Sequence, residues 1–367
     1  MTAVYRLFRE HPSRLPSKPC ELSPPLRLEW THQYQHIPAA LPLIEHGLVF
    51  VGRPDGALAA LCEETGEPLW IRPNCGEPSF IHDGTLFIYN RENEIDCIES
   101  TNGALTRTMS SKTAMKGCVV GDRILGHGYQ FEKEFFFSAE RDTGTVLWEF
   151  EIPKGIFVKT TFCASDAAVF FGLDDGSLIG LSIEDGKQIW QQSLAHLTWD
   201  DLGKTKHGRP QGVATLWRDR AIVDTRSHVS AFACDTGNLL WTTDVSFVGS
   251  GYLYDNLYYT VGGFVIDPAD GKILHFHTLY RNLPRKLQES ALTPPLLVSE
   301  THIFTTTLHG HILAFDRFTG QFDSYFRPKG WGTIQMHHYF MSVNRRFYYA
   351  DLSMRLYCLK EASGPKN

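Results

Sequence analysis

The side chains best suited to hold a metal are His309 and His311, in the run TTTLHGH, and the adjacent His337 and His338. On an extended segment residues i and i+2 point to one side, so His309 and His311 could share an ion. No Cys, Asp or Glu near them in sequence completes a site, and a strand turns His337 and His338 to opposite faces. A packed polar role is therefore expected for all four. The 8 cysteines are scattered from Cys20 to Cys358 without an adjacent pair, a CxxC or a CxxCH. Zinc, dithiol redox and c-type haem chemistry all lack their spacing. There is no G-x-S-x-G elbow, and GDRILGHG (Gly121–Gly128) fits neither a phosphate loop nor a dinucleotide fingerprint. No catalytic residue, metal or cofactor is expected.

The composition narrows the class further. The 367 residues are 43% hydrophobic and 21% charged, enough to build a core and too apolar for a disordered chain. The net charge of −6 disfavours a nucleic-acid binder. Met1–Pro25 carries Arg6, Arg9, Arg14 and Lys18 among prolines, with no apolar signal core. No apolar run reaches the length of a membrane span. With thiols scattered rather than paired, a cytoplasmic, monomeric protein with no membrane contact is expected.

The elements follow from a repeat. GLVFVGRPDGALAALCEETGEPLWIR, FFGLDDGSLIGLSIEDGKQIW and IVDTRSHVSAFACDTGNLLW share one pattern: strand, polar turn, strand, Asp/Thr-Gly turn, strand. Gly66, Gly103, Gly144, Gly186, Gly237, Gly271 and Gly320 mark the second turn. Four residues after four of these glycines stands a tryptophan: Trp70, Trp148, Trp190 and Trp241. Six residues before stand small side chains: Ala60, Cys97, Ser138, Gly180, Ala231 and Ala314. The tryptophans read as docking residues between stacked sheets. The small positions read as the tightest contact between them. After the seventh unit comes a partial one, RFYYADLSMRLYCLKEA, with two strands and no third strand following, and LRLEW (Leu26–Trp30) supplies the missing one. Pairing the chain ends gives an eighth sheet and closes a ring.

The motifs DGALAALCEETGEPLW, DGSLIGLSIEDGKQIW and HVSAFACDTGNLLW resemble the repeat of PQQ-type β-propellers. The resemblance spans Leu26 to Glu361 and implies an all-β, eight-bladed propeller of four-stranded antiparallel blades. Residues 1–25 are then an N-terminal extension, 26–362 the propeller and 363–367 a tail. The sixth repeat is degenerate, with His275 where tryptophan is expected. That family includes quinoprotein dehydrogenases and non-enzymatic outer-membrane-assembly propellers. The dehydrogenases carry an adjacent cysteine pair that this chain lacks, so the resemblance leans toward the scaffolds.

Turn spacing lengthens between Gly186 and Gly237 and again between Gly271 and Gly320. The excess falls in two crossovers, His196–Gly212 and Thr278–Pro295, and long crossovers are candidate binding loops. Both read as polar. They offer Trp199, Lys204, Lys206, His207 and Arg209 in the first, and Tyr280, Arg281, Arg285 and Lys286 in the second. Arg53, Arg91 and Arg226 add positive charge from turns expected on the same face. The expected function is a protein-binding scaffold with an acidic partner, in one form an inhibitor or immunity protein that caps it. The rival is a propeller that binds a small molecule or cofactor in the central channel, as a quinoprotein-like enzyme would, with Lys116, Lys159, Gln211, Gln335 and His337 as lining.

Overall fold

The computed structural model describes residues 5–8, 11–14, 22–33, 42–53, 55–75, 78–90, 94–110, 116–130, 133–160, 162–201, 203–245, 251–288, 292–307, 309–327, 339–350 and 355–362. Contacts divide the chain into two compact units. One comprises Met1–Leu15, Pro42–Thr225 and Ser230–Leu240; the other comprises Pro16–Leu41, Arg226–Val229 and Trp241–Asn367.

Alternating apolar residues between tight turns make every regular element but one among the described residues a strand. The first sheet is Leu43–Glu45, Leu48–Gly52, Leu58–Cys62 and Pro68–Arg72. The second is Phe80–His82, Thr85–Tyr89, Glu94–Glu99 and Leu105–Ser110. Lys116–Val120, Arg123–Gln130, Lys133–Glu140 and Val146–Glu151 form the third. Cys163–Ala164, Ala168–Gly172, Ser177–Ser182 and Gln188–Ser193 form the fourth. Gln211–Trp217, Arg220–Asp224, His228–Ala233 and Leu239–Asp244 form the fifth. The sixth is Tyr252–Tyr254, Leu257–Tyr259, Phe264–Ile266 and Ile273–Phe276. The seventh is Leu292–Val298, His302–Thr307, Ile312–Asp316 and Phe322–Phe326. In each of the seven the strands neighbour one another in chain order.

The eighth sheet joins the two ends of the chain. Tyr339–Val343, Arg346–Ala350 and Arg355–Glu361 are completed by Leu26–Gln33, with Leu26 opposite Glu361 and Trp30 opposite Cys358. The Ala362 amide donates to Pro25 O at 2.8 Å, and the Ser23 amide to Glu361 Oε1 at 2.7 Å. Half-buried Glu29 accepts from Arg346 Nε at 3.0 Å and pairs with Lys360. Eight four-stranded antiparallel sheets make the all-β, eight-bladed propeller that the repeat implies. At the N-terminus, Tyr5–Phe8 and His11–Arg14 form a hairpin whose first strand adds to Cys163–Ala164.

The repeated tryptophans dock one sheet on the next. Nε1 of Trp70, Trp148, Trp190 and Trp241 donates to the carbonyls of Ser100, Ile183, Cys234 and Pro268, at 3.0, 2.7, 2.8 and 3.2 Å. Each acceptor lies three residues before the next turn glycine, and the indole lies over that glycine. At Gly237 the backbone has φ +69° and a Cβ would stand 2.5 Å from the Trp190 ring, so only glycine fits. The small positions have a different reason from the one the spacing suggests. A Cβ on Gly180 would meet the ring of Trp190, its cross-strand partner in the same sheet, at 2.6 Å. The small residue makes room for its own sheet's indole.

Three of the seven turn glycines are followed by another residue at the tryptophan position: Arg107, His275 and, in the seventh sheet, Ser324 opposite Ala314. In the second sheet Arg107 takes the position, and its Nη2 donates to Arg141 O at 2.8 Å. In the sixth, His275 holds the cross-strand register opposite Val265 but is exposed. The docking side chain is instead His277, two residues on; a Cβ on Gly320 would stand 2.6 Å from the His277 Cβ and 2.8 Å from its ring. A buried imidazole thus does the work expected of position 275.

Candidate functional site

The crossover His196–Gly212 rises from the end of the fourth sheet. Leu194 and Leu197 are buried at its base, where the Gly208 amide donates to Leu197 O at 2.6 Å. Beyond that base the chain forms a two-stranded hairpin, Thr198–Asp201 with Lys204–His207. Gly203, with φ +78°, makes the turn, and its amide is held by Asp200 Oδ1 at 3.1 Å. Trp199 stands opposite Lys206, and Thr198 opposite His207. Lys204, Lys206, His207 and Arg209 are exposed, while Trp199 is half-buried. His207 is tied down through Nδ1 to Ala195 O at 2.9 Å. The indole N–H of Trp199 is buried without an acceptor among the described residues.

The crossover that begins at Thr278 is built differently. The sequence reads it as polar, but Leu279, Leu283 and Leu287 are 2%, 4% and 3% exposed and join the core of their unit. Their spacing of four puts them on one side of a coiled segment that ends in a 3-10 turn, Arg285–Leu287. Asn282 Nδ2 donates to Gly320 O at 2.7 Å, Gln288 Nε2 to Leu283 O at 2.7 Å, and Tyr280 OH to Gln288 O. The result is a strap fixed by its own bonds. Tyr280 (45% exposed), Arg281, Arg285 and Lys286 are left on the outside.

His311, in the turn just before Ile312–Asp316, and Tyr325, from the neighbouring strand of the seventh sheet, extend this outer surface. Lys286 Nζ lies 5.0 Å from the Tyr325 ring centre and donates to its hydroxyl at 3.3 Å. The Tyr325 ring meets His311 edge-on at 5.5 Å. His309 and His311 do not share an extended segment, because Gly310 between them has φ +78°. The turn closes by the Thr307 amide donating to His311 O at 3.0 Å, and Thr307 Oγ1 contacts His311 Nδ1 at 3.2 Å. The premise of a same-side pair of ligands is therefore corrected. Burial, together with the charges of Arg327, His309 and Lys286, brings His311 down to about 4. It is neutral at physiological pH.

The other candidates are dispersed. Arg53 is half-buried and pairs with Asp55 on its own turn at 3.3 Å, so its charge is locally cancelled. Arg226 is exposed, and Arg91 lies outside the described residues, as do Gln335, His337 and His338. The two insertions belong to different compact units. Tyr325 and Arg327 were missed by the sequence reading, which looked only at the crossovers. A strand alternating outward at Asp323, Tyr325 and Arg327 is the signal that would have found them.

The described cysteines differ: hydrogen bonds, chiefly with Thr65, lower the pKa of the half-buried Cys62 thiol. All seven are free, and burial pushes the thiols of Cys97, Cys118 and Cys234 upward. Among the described residues no group of three or more His, Cys, Asp or Glu side chains is placed to hold a metal. No described helix is long and apolar enough to cross a membrane.

The family described as outer membrane protein assembly factor BamB matches residues 54–261, more than half of the chain. The chain belongs to that family. No curated protein matches it in sequence. Its fold is similar to BamB from Moraxella catarrhalis, at 14% identity and TM-score 0.64, covering 91% of this chain and 99% of that one. A computationally designed protein, Ika8, is similar at 15% identity and TM-score 0.63, covering 89% and 96%. Quinohemoprotein alcohol dehydrogenase ADHIIG from Pseudomonas putida HK5 is similar at 11% identity and TM-score 0.62, covering 98% and 80%. At such identities the likeness carries the propeller and leaves the task to the site.

Proposed function

We propose that this member of the BamB family is a non-catalytic, protein-binding propeller that holds a partner through its enlarged crossovers. The observation that carries the reading is the hairpin Thr198–His207, which presents half-buried Trp199 beside exposed Lys204 and Lys206, with Arg209 exposed just after it. An aromatic flanked by cations is the composition of an interface anchor. The charge favours an acidic partner, and capping an acidic enzyme or toxin is one form of the role. Seven free thiols among the described residues suit a protein working in a reducing compartment.

The test removes the hairpin. A chain lacking residues 198–207, closed by a short Gly-Ser link, should lose the partner that the full chain captures from its native host. Its melting temperature should stay within about 2 °C, since the segment buries no core. Undiminished capture of the same partner would show that the hairpin is not the contact.

A further inference from the structure

Resting on that protein-binding reading, we infer that the strap carries a second, carboxylate-recognising site. An acidic peptide segment of a partner would dock on Arg285, Lys286 and Arg327 around the Tyr325 ring, with His311 at its edge. The strap is anchored by Leu279, Leu283 and Leu287, so its cations are held rather than free to collapse onto nearby acids. Among the described residues none of Arg281, Arg285, Lys286 and Arg327 has a carboxylate partner. This includes Asp323, exposed on the same strand as Tyr325. Several other surface cations do have such a partner: Arg53 with Asp55, Lys133 with Glu151, Lys187 with Asp185 and Arg345 with Glu361.

The local field agrees with the geometry. Positive charge from Arg327, His309 and Lys286 adds to burial in keeping the His311 ring deprotonated, as a site with unmet demand for an anion does. Tyr325, 43% exposed, gives an aliphatic or aromatic neighbour of the carboxylate a flat surface to cover. A short acidic peptide suits this better than a nucleic acid, because the chain's net charge of −6 repels an extended polyanion. Guanidinium groups read planar carboxylates in two-point contacts, whereas Lys286 acts as a point charge fixed over the ring.

A labelled octaglutamate peptide, followed by fluorescence anisotropy at low salt, tests the site on the full chain. Arg285→Glu combined with Arg327→Glu should weaken binding at least tenfold, and Lys204→Glu with Lys206→Glu on the hairpin should change it less than twofold. In the unmutated chain, saturating peptide should raise the His311 titration midpoint from about 4, read by NMR of the ring. That measurement needs no variant to fold. If the hairpin reversal weakens binding and the strap reversal does not, the inference falls while the acidic-partner reading stands. No binding by any form overturns both. An oligothymidine of equal charge binding at least as tightly would overturn the assignment to carboxylate.

Discussion

The crossover after Trp190 stands away from its sheet, whereas the crossover after His277 folds down onto its own. At the first joint one indole suffices: its ring covers Gly237 and its Nε1 reaches Cys234 O at 2.8 Å. At the second, a smaller imidazole covers Gly320, and the strap adds what is missing through Asn282 on the Gly320 carbonyl and three buried leucines. Arg317 reinforces the same joint, donating to Tyr259 Oη at 2.7 Å and to Asp255 at 2.9 Å. A joint closed by tryptophan frees its crossover for other uses; a joint closed by histidine recruits its crossover into the structure. The strap's outward cations are consequently held in place, and the hairpin's are carried on an arm.

Truncating the indole should give the largest effect. Trp190→Ala removes a large buried ring and leaves a cavity between two sheets, so a loss of about 3–5 kcal/mol is expected in urea unfolding. Trp190→Phe keeps most of the packing and loses the donor to Cys234, at a cost nearer 1 kcal/mol. A Trp190→Ala loss below that of the phenylalanine variant would show that the ring does not close the joint.

The strap's anchors come next. Leu283→Ala should cost about 2–4 kcal/mol, because Leu283 is enclosed by the core of its unit and the rigid backbone cannot collapse into the gap. It should also loosen the strap enough to speed proteolysis near Arg285. Leu283→Ala within about 0.5 kcal/mol of the parent would mean that the strap is as dispensable as the hairpin is expected to be, and the contrast would vanish.

How much of this was legible depends on which interactions repeat. Sheet count, end-to-end closure and the docking role of the tryptophans follow from residues at one register, so seven copies average out local drift. Trp30 opposite Cys358 could be read from LRLEW and RLYCL alone. The sites are single events with no register behind them. Leu279, Leu283 and Leu287 do have a period, yet it is short and interrupted by Arg281, Arg285 and Lys286, so the segment looked polar. His277 was missed because strand register points to His275; the docking function moved one same-face position along. Tyr325 meets Lys286 only through the fold, from an ordinary outer strand.

The histidine joint also makes the two regions differ in acid. Burial, and then the neighbouring charge of His275, holds His277 below the ordinary histidine value, so the folded chain prefers it neutral. Below about pH 6.5 the unfolded chain takes up this proton first, and stability is lost as pH falls from there through the folded value. His277→Phe keeps a ring over Gly320 and removes the proton, so its stability should fall less steeply than the parent's across that window, by up to one proton of slope. His311, also held down, contributes equally to both proteins and cancels in the difference. Melting temperatures at pH 8, 7, 6 and 5 measure it. Parallel curves for parent and variant would mean that His277 is reached by solvent and closes nothing, and that the strap rather than the imidazole makes the joint alone.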